Sequence, residues 1–310
     1  MGRVLLVIIS LVCLVGASET SGPLVERVVV VVVDGPRWSE TWGEASRAHI
    51  PRRALELAPQ GVLFTGFLNR GPTYTNSGHA GITTGVAQDI DNSGKQLPSH
   101  ESWMQRWRFL NGSPAESAWV VTSKDKLAIL GDTVDPSWAG RCAPRLDCGI
   151  KGLGTGYRSD PDTQVALRRI LRDHAPTLLI VNLLGPDANG HARKWEGYLA
   201  AIRETDAMVG DLWAELQSLP TYRGRTALFV TNDHGRHLDG IRDGFVSHDD
   251  QCPGCKHIEL LAIVPGVAGG QVVAREHDLT DLAVTIARLI GTDLPASRGV
   301  VIPELIPALP

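Results

Sequence analysis

Short runs of Val, Ile and Leu alternate along this chain with longer segments in which apolar residues recur at helical spacing. The short runs predict buried strands at residues 27–33, 118–122, 177–183, 227–231 and 259–264. The longer segments predict helices at residues 99–109, 163–173, 194–216 and 279–290. This alternation predicts an α/β fold in which helices cover both faces of a mostly parallel sheet.

Carboxylates follow three of the predicted strands. Asp34 comes directly after the first strand, Asp187 follows the strand that ends at Leu183, and Asp233 follows the strand that ends at Thr231. Ligands of open parallel sheets bind beyond the carboxyl ends of the strands, so we expect these three side chains at one edge of the sheet. A single aspartate in this position is usually a turn former or a helix cap. Three in one chain favour a binding site.

Histidines accompany two of these aspartates. His191 lies four residues after the second aspartate, and His234 directly follows the third. The glycines and the proline within residues 185–190 favour a loop curled around an ion over a helical turn. His248 is a further candidate, because its distance to the following strand favours it over His257. Imidazole and carboxylate groups together suit zinc.

Thr75 is the candidate nucleophile, in the segment Pro-Thr-Tyr-Thr-Asn. A threonine hydroxyl is a weak nucleophile that needs activation, and metal coordination supplies that activation. Residues 77–84 are predicted to open a helix whose N-terminal amides favour an anion. Thr73 is the alternative nucleophile, and His79 is predicted to be a packed helix residue rather than a ligand.

These ordered motifs resemble those of the alkaline phosphatase superfamily, near its type I phosphodiesterase and nucleotide pyrophosphatase branch. The resemblance implies an alkaline-phosphatase-like three-layer α/β sandwich and two divalent cations, with Zn²⁺ preferred. One cation site would take Asp34, Thr75, Asp233 and His234, and the other would take Asp187, His191 and His248. The implied chemistry is an in-line displacement in which the activated threonine becomes a phosphothreonine.

The resemblance also implies roles for three further residues. Asn92 matches a family asparagine that donates to a nonbridging phosphoryl oxygen, with an ordinary turn as its alternative. Lys124 and Lys126 lie in a Lys-Asp-Lys segment that resembles segments of threonine-dependent phosphomonoesterases and phosphonoacetate hydrolases. Solvated loop lysines are the alternative. Because two cations neutralise the extra charge of a monoester dianion, the lysines favour a phosphomonoester or a carboxylate-bearing phosphonate over a phosphodiester.

Other functions fit the sequence less well. The nucleotide diesterase branch usually has an aromatic residue and Pro-Asn-His after its threonine, whereas this chain has Asn76-Ser77-Gly78-His79. A sulfatase needs Cys or Ser in a Cys/Ser-x-Pro-x-Arg motif where Thr75 lies. A noncatalytic metal-binding scaffold is the alternative from another class, although all seven proposed ligands are present.

Charge and the first residues bear on partners and location. A net charge of -4 and a pI near 6.2 give no electrostatic case for nucleic acid, so a small phosphorylated substrate is the expected partner. Residues 1–17 are predicted to be a signal peptide and 18–23 a short N-terminal segment, before one catalytic domain at 24–310. We expect a secreted or periplasmic protein with no membrane span after cleavage; an uncleaved anchor is the alternative.

The cysteines after residue 17 form two close pairs, Cys142 with Cys148 and Cys252 with Cys255. Export would favour local disulfides within each pair. The alternative is one structural zinc bound by all four thiolates, because Cys-x-x-Cys is a common half-site for zinc.

Overall fold

The computed structural model describes residues 23–308, so the predicted signal peptide lies outside the described residues. An eight-stranded sheet forms the centre of this part of the chain. In spatial order its strands are β5 (Arg145–Cys148), β4 (Ala118–Thr122), β6 (Leu178–Leu183), β1 (Arg27–Val33), β7 (Thr226–Thr231), β8 (Leu260–Ile263), β2 (Val62–Phe64) and β9 (Gln271–Val273). Two short strands, β3 (Phe67–Leu68) and β10 (His277–Asp278), form a separate parallel pair.

Most neighbouring strands of the large sheet run parallel, as the sequence predicts. β1 lies between β6 and β7 and is parallel to both. β8 is the exception, because it runs antiparallel to β7 and to β2. The predicted strand at residues 259–264 therefore exists but reverses the direction of the sheet.

Helices cover both faces of the sheet and make the predicted three-layer sandwich. The helices of the described residues are α1 (Thr75–Thr84), α2 (Trp103–Asn111), α3 (Asp160–His174), α4 (Gly185–His191), α5 (Trp195–Ser218), α6 (Pro253–Lys256) and α7 (Leu279–Leu289). Alternate valines of β1 point to opposite faces: Val28 belongs to the same buried cluster as residues of α1, α2 and α7, and Val29 belongs to the cluster with residues of α3 and α5. No helix within residues 23–308 is long and apolar enough to cross a membrane.

Local signals explain where the helices differ from the predictions. α2 begins at Trp103 because Ser102 and Gln105 form a capping box. The loop predicted around residues 185–190 is wrong, because this segment is α4. Pro186 lies in the first turn of α4, where the backbone N–H that proline lacks is not needed for a helical hydrogen bond and the ring has no preceding turn to clash with.

The four cysteines within residues 23–308 are free thiols, so the local disulfides predicted there are absent. The alternative, one zinc bound by all four thiolates, does not form either, because no cluster of potential ligands in the described part of the chain joins the two pairs. Cys148 is buried with its Sγ near the Val120 carbonyl, whereas the Sγ atoms of Cys252 and Cys255 lie 3.3 Å apart.

Candidate metal centre

Three adjacent parallel strands bring the predicted aspartates to one edge of the sheet. Val32 of β1 is in register with Asn182 of β6 and with Thr231 of β7. Asp34 therefore leaves β1 beside the residues that follow the other two strands, and all of these carboxylates are buried. The expectation that they gather beyond the carboxyl ends of the strands is confirmed.

The first group of potential ligands consists of Asp34, Asp233 and His234, whose ligand atoms lie within 4.8 Å of one another. His234 Nε2 is 3.5 Å from Asp34 Oδ1 and 3.5 Å from Asp233 Oδ2. These three atoms are buried and have no hydrogen-bond partner. Buried polar atoms are normally paired, so the three atoms fit a divalent cation between them.

The second group consists of Asp187, His234 and His248. His191 adjoins it, because α4 places Asp187 and His191 one helical turn apart, with His191 Nε2 3.1 Å from Asp187 Oδ1. His191 Nε2 also lies 3.2 Å from His248 Nε2, at the solvent edge of the group. The structure thus brings all the predicted histidines together, with His234 contacting both groups.

The two rival histidines differ in their surroundings. His248 Nδ1 lies 2.6 Å from the Thr73 carbonyl, which leaves Nε2 facing Asp187. His257 instead stacks on Trp38 and directs Nε2 to the Thr65 carbonyl at 2.9 Å. His248 is therefore the residue placed to bind a cation.

Thr75 is the first residue of α1, so its hydroxyl lies at the positive end of a ten-residue helix. Lys124 Nζ donates to Thr75 Oγ1 at 3.1 Å. The same ammonium is 2.9 Å from Asp34 Oδ2 and 2.6 Å from Asp187 Oδ2. The buried ammonium of Lys124 thus contacts the Thr75 hydroxyl and one carboxylate of each ligand group.

Burial and charge shape the protonation of these residues. Burial, together with nearby Asp233, raises the pKa of Asp34 to about 6. Burial also opposes ionisation of Asp187. The charge of Lys124 and the hydrogen bonds that Asp187 makes with His191 and His248 outweigh this effect, so the pKa of Asp187 lies well below its usual range. Burial lowers the pKa of His234 well below its usual value, so its imidazole is neutral and can bind a metal.

Asn92 lies at the N-terminus of α1, and Lys126 follows Lys124 by two residues. The Asn92 Oδ1 atom accepts from the backbone amide of Asn76 at 3.2 Å, so the Nδ2 group of Asn92 is left to donate elsewhere. Lys126 is buried, and burial together with Lys124 lowers its pKa to about 8. The predicted helix residue His79 is buried, with Nδ1 2.8 Å from the Thr75 carbonyl.

Two residues of the site escaped the sequence analysis. Asn182 Nδ2 donates to Asp34 Oδ2 at 3.1 Å, and a single polar residue within a buried apolar strand is a signal that could have found it. Arg236 is fully buried and its Nη1 donates to Asp187 Oδ1 at 2.5 Å. The position of Arg236 in the sequence, two residues after His234, does not indicate a role in the site, because arginines in loops are usually exposed.

The fold and the site together define an α/β protein with two adjoining groups of metal-binding side chains. The sequence of residues 155–294 matches the family described as the Metalloenzyme superfamily. A 2,3-bisphosphoglycerate-independent phosphoglycerate mutase of Natronomonas pharaonis is 30% identical over 138 residues, which are 43% of this chain and 25% of that protein. Arylsulfatase K of Danio rerio is 30% identical over 112 residues, or 36% of this chain and 20% of that protein. The chain thus spans about a quarter of the length of these curated relatives or less.

Solved structures identify the fold. Wild-type alkaline phosphatase PafA superposes with a TM-score of 0.66 and 13% identity, covering 92% of this chain and 100% of that chain. Phosphonate monoester hydrolase SpPMH of Silicibacter pomeroyi gives a TM-score of 0.64 and 17% identity, covering 92% of this chain and 77% of that chain. The protein therefore has the α/β fold of the alkaline phosphatase superfamily.

Proposed function

We propose that this chain is an exported two-metal hydrolase of phosphoric esters that acts through a phosphothreonine at Thr75, with phosphomonoesters as the favoured substrates. One observation carries the proposal. The Thr75 hydroxyl lies at the N-terminus of α1, and Lys124 links it to Asp34 and Asp187, one from each ligand group. A nucleophile, an anion-binding helix end and two cation sites therefore adjoin one another.

The ligand groups fit two divalent cations. Asp34, Asp233 and His234 would hold one with Thr75, and Asp187, His191 and His248 would hold the other. Bound cations of this kind activate a hydroxyl and a water and neutralise charge on the phosphoryl group. Carboxylate and imidazole ligands with positions left for substrate favour zinc in a catalytic role.

The chain's own residues then account for two displacement steps. In the first, Thr75 Oγ1 bonds to phosphorus while the ester oxygen leaves, and the proton lost by the hydroxyl ends on the leaving alcohol. In the second, water attacks the phosphothreonine, phosphate leaves, and a proton from that water returns to Thr75. The α1 amides and Lys124 would hold the phosphoryl oxygens during both steps.

Lys124 and Lys126 support a monoester as substrate. Both are buried, so neither is an ordinary solvated loop lysine. Lys124 is close enough to Thr75 to contact an oxygen on the transferring phosphorus. A monoester dianion has one more charged oxygen than a diester for such an ammonium to bind. A phosphodiesterase or nucleotide pyrophosphatase and a phosphonoacetate-type hydrolase are the alternatives. A sulfatase is disfavoured, because a threonine stands where that chemistry needs Cys or Ser.

The test is turnover of three substrates by the zinc-loaded protein: a nitrophenyl phosphomonoester, the corresponding diester and phosphonoacetate. We expect the highest kcat/KM for the monoester, and Thr75→Ala to lower it at least about 10³-fold. Thr83→Ala is the matched control, because Thr83 is buried in the same helix and its hydroxyl donates to the His79 carbonyl at 3.0 Å. Thr73→Ala tests the alternative nucleophile.

The outcomes separate the candidates. Diester preference would assign the chain to phosphodiester hydrolysis, and preference for phosphonoacetate would assign it to phosphonates. Loss of turnover in Thr73→Ala with retention in Thr75→Ala would contradict the assigned nucleophile. Metal binding without any turnover that depends on Thr75 would make the protein a noncatalytic metal-binding scaffold.

A further inference from the structure

A second cluster of metal-binding side chains lies outside the proposed catalytic groups. It consists of His237, Asp250, Cys252 and Cys255, whose ligand atoms are all within 4.8 Å of one another. His237 and Cys255 are buried, and the other two are partly exposed. We propose that these four side chains bind one structural zinc ion. Two thiolates, an imidazole and a carboxylate are all ligands that zinc accepts in proteins.

The surroundings of His237 point to a ligand independently of the cysteines. Its imidazole is fully buried, yet Nε2 has no hydrogen-bond partner. Its other nitrogen, Nδ1, lies 3.2 Å from Asp243 Oδ1 and 3.2 Å from Ser247 Oγ. Histidines that bind metal are held in this way, with one nitrogen oriented by a carboxylate and the other facing the ion. The unpaired Nε2 therefore has the environment of a zinc ligand.

Three distances within the cluster lie within about 0.5 Å of the edges of a tetrahedral zinc site. Cys252 Sγ is 3.3 Å from Cys255 Sγ, Cys255 Sγ is 3.7 Å from Asp250 Oδ1, and His237 Nε2 is 3.1 Å from Asp250 Oδ1. Zinc bonds of about 2.3 Å to sulfur and about 2.0 Å to nitrogen or oxygen place two sulfurs roughly 3.8 Å apart, sulfur and oxygen roughly 3.5 Å apart, and nitrogen and oxygen roughly 3.3 Å apart. With four protein ligands the coordination is complete, which makes the ion structural rather than catalytic.

Charge also favours a cation here. Two thiolates and the Asp250 carboxylate bring three negative charges against the two positive charges of zinc. Arg242 offsets the excess, because its Nε lies 3.1 Å from Asp250 Oδ2. Without a cation, Nε2 of the buried imidazole would make no hydrogen bond, with the Asp250 carboxylate and the two thiols as its neighbours.

The ion would fix the segment that supplies residues to the proposed catalytic site. Within residues 235–257 the described helices are only a three-residue 3₁₀ turn and the four-residue α6. Gly235 N donates to the Cys255 carbonyl at 2.7 Å, and His237 N donates to the Ser247 carbonyl at 3.1 Å. Zinc would tie these ends together and hold His248 in place. This positioning role rests on the proposed function, whereas the zinc site itself does not.

Cobalt substitution of the full-length protein tests the proposal. The proposed catalytic groups contain no thiolate, so thiolate-to-cobalt charge-transfer absorption reports on this cluster alone. We expect the absorption in the wild type and in Asp34→Asn. We expect it to disappear in Cys255→Ser, with one equivalent less zinc per chain in the zinc-loaded form. Cys142→Ser is the matched control and should keep both the absorption and the zinc.

Two results would overturn the proposal. One is a wild-type protein without the charge-transfer absorption. The other is a disulfide between Cys252 and Cys255, detected by mass spectrometry of protein purified without reductant. If Cys255→Ser does not fold, Asp250→Asn replaces it, because this substitution keeps both sulfurs and changes a partly exposed side chain. Zinc in Asp250→Asn should be lost to a competing chelator at lower chelator concentration than in the wild type. Equal zinc retention would count against Asp250 as a ligand and against the four-ligand site.

Discussion

Replacing Lys124 with methionine isolates the contribution of one ammonium group to substrate choice. Lys124 is buried, and Lys124→Met keeps a side chain of similar length while it removes the ammonium with its charge and its hydrogen-bond donors. In the unsubstituted protein that charge lies 3.1 Å from Thr75 Oγ1. An oxygen of a phosphoryl group bonded to Thr75 would therefore come within hydrogen-bonding distance of the ammonium.

The size of the effect follows from that contact. A hydrogen bond between an ammonium and an anionic oxygen contributes about 1.5–3 kcal/mol in a protein. Each 1.36 kcal/mol of transition-state stabilisation is about a factor of ten in rate, so the loss is about 10- to 150-fold. A diester has one charged oxygen fewer, so we expect it to lose much less. The ratio of monoester to diester kcat/KM should therefore fall, by about 10- to 150-fold where turnover of the diester is unaffected.

The ratio removes effects common to both substrates. Lys124 also contacts Asp34 and Asp187, so its loss can change metal binding and lower turnover of every substrate. The assay is kcat/KM for a nitrophenyl phosphomonoester and its diester at saturating zinc, with metal content measured in parallel. Lys151→Met is the matched control, because Lys151 is exposed and carries the same charge.

An equal loss on both substrates would refute the reasoning. It would mean that Lys124 holds the ligand groups in position but does not contact the dianion.

Three other predictions concern the helix, the core and the metal. Gly78→Ala would place a Cβ 2.6 Å from the Asp233 carbonyl oxygen and push α1 away, so we expect kcat/KM to fall about 10²-fold. Gly81→Ala is the control and should stay active, because its Cβ would lie 3.7 Å from the nearest atom. Arg53→Met would remove a fully buried guanidinium that pairs with two buried carboxylates, Asp206 at 2.9 Å and Glu259. It should lower the free energy of unfolding, measured by urea titration, by about 3–5 kcal/mol, and a loss below about 1 kcal/mol would contradict this. Chelation should abolish turnover and added zinc should restore it; activity that persists in protein shown to be metal-free would contradict a metal-dependent reaction.

Most of the sheet and the gathering of aspartates could be predicted from the sequence. The six consecutive valines of β1 can only be buried on both faces, so a strand covered by helices on each side was the one arrangement that satisfied them. Asp34 directly follows that run, and the rule for carboxyl ends of parallel strands then placed it in a site. Both features could be predicted because the valine run and the aspartate after it are neighbours in the sequence.

Tertiary structure decided what depends on residues distant in the chain. α4 was predicted as a loop because glycines oppose helices, yet packing of its segment against α5 and the proline in its first turn fix a helix. The cysteine pairs suggested disulfides, but His237 and Asp250 reach the second pair only through the folding of the loop between them. Lys124 shows the same limit. Its segment marked it as a candidate, but only the fold brings one ammonium within hydrogen-bonding distance of a hydroxyl 49 residues earlier and a carboxylate 63 residues later. Spacing along a chain does not determine such distances, because they are set by how the strands pair and the helices pack.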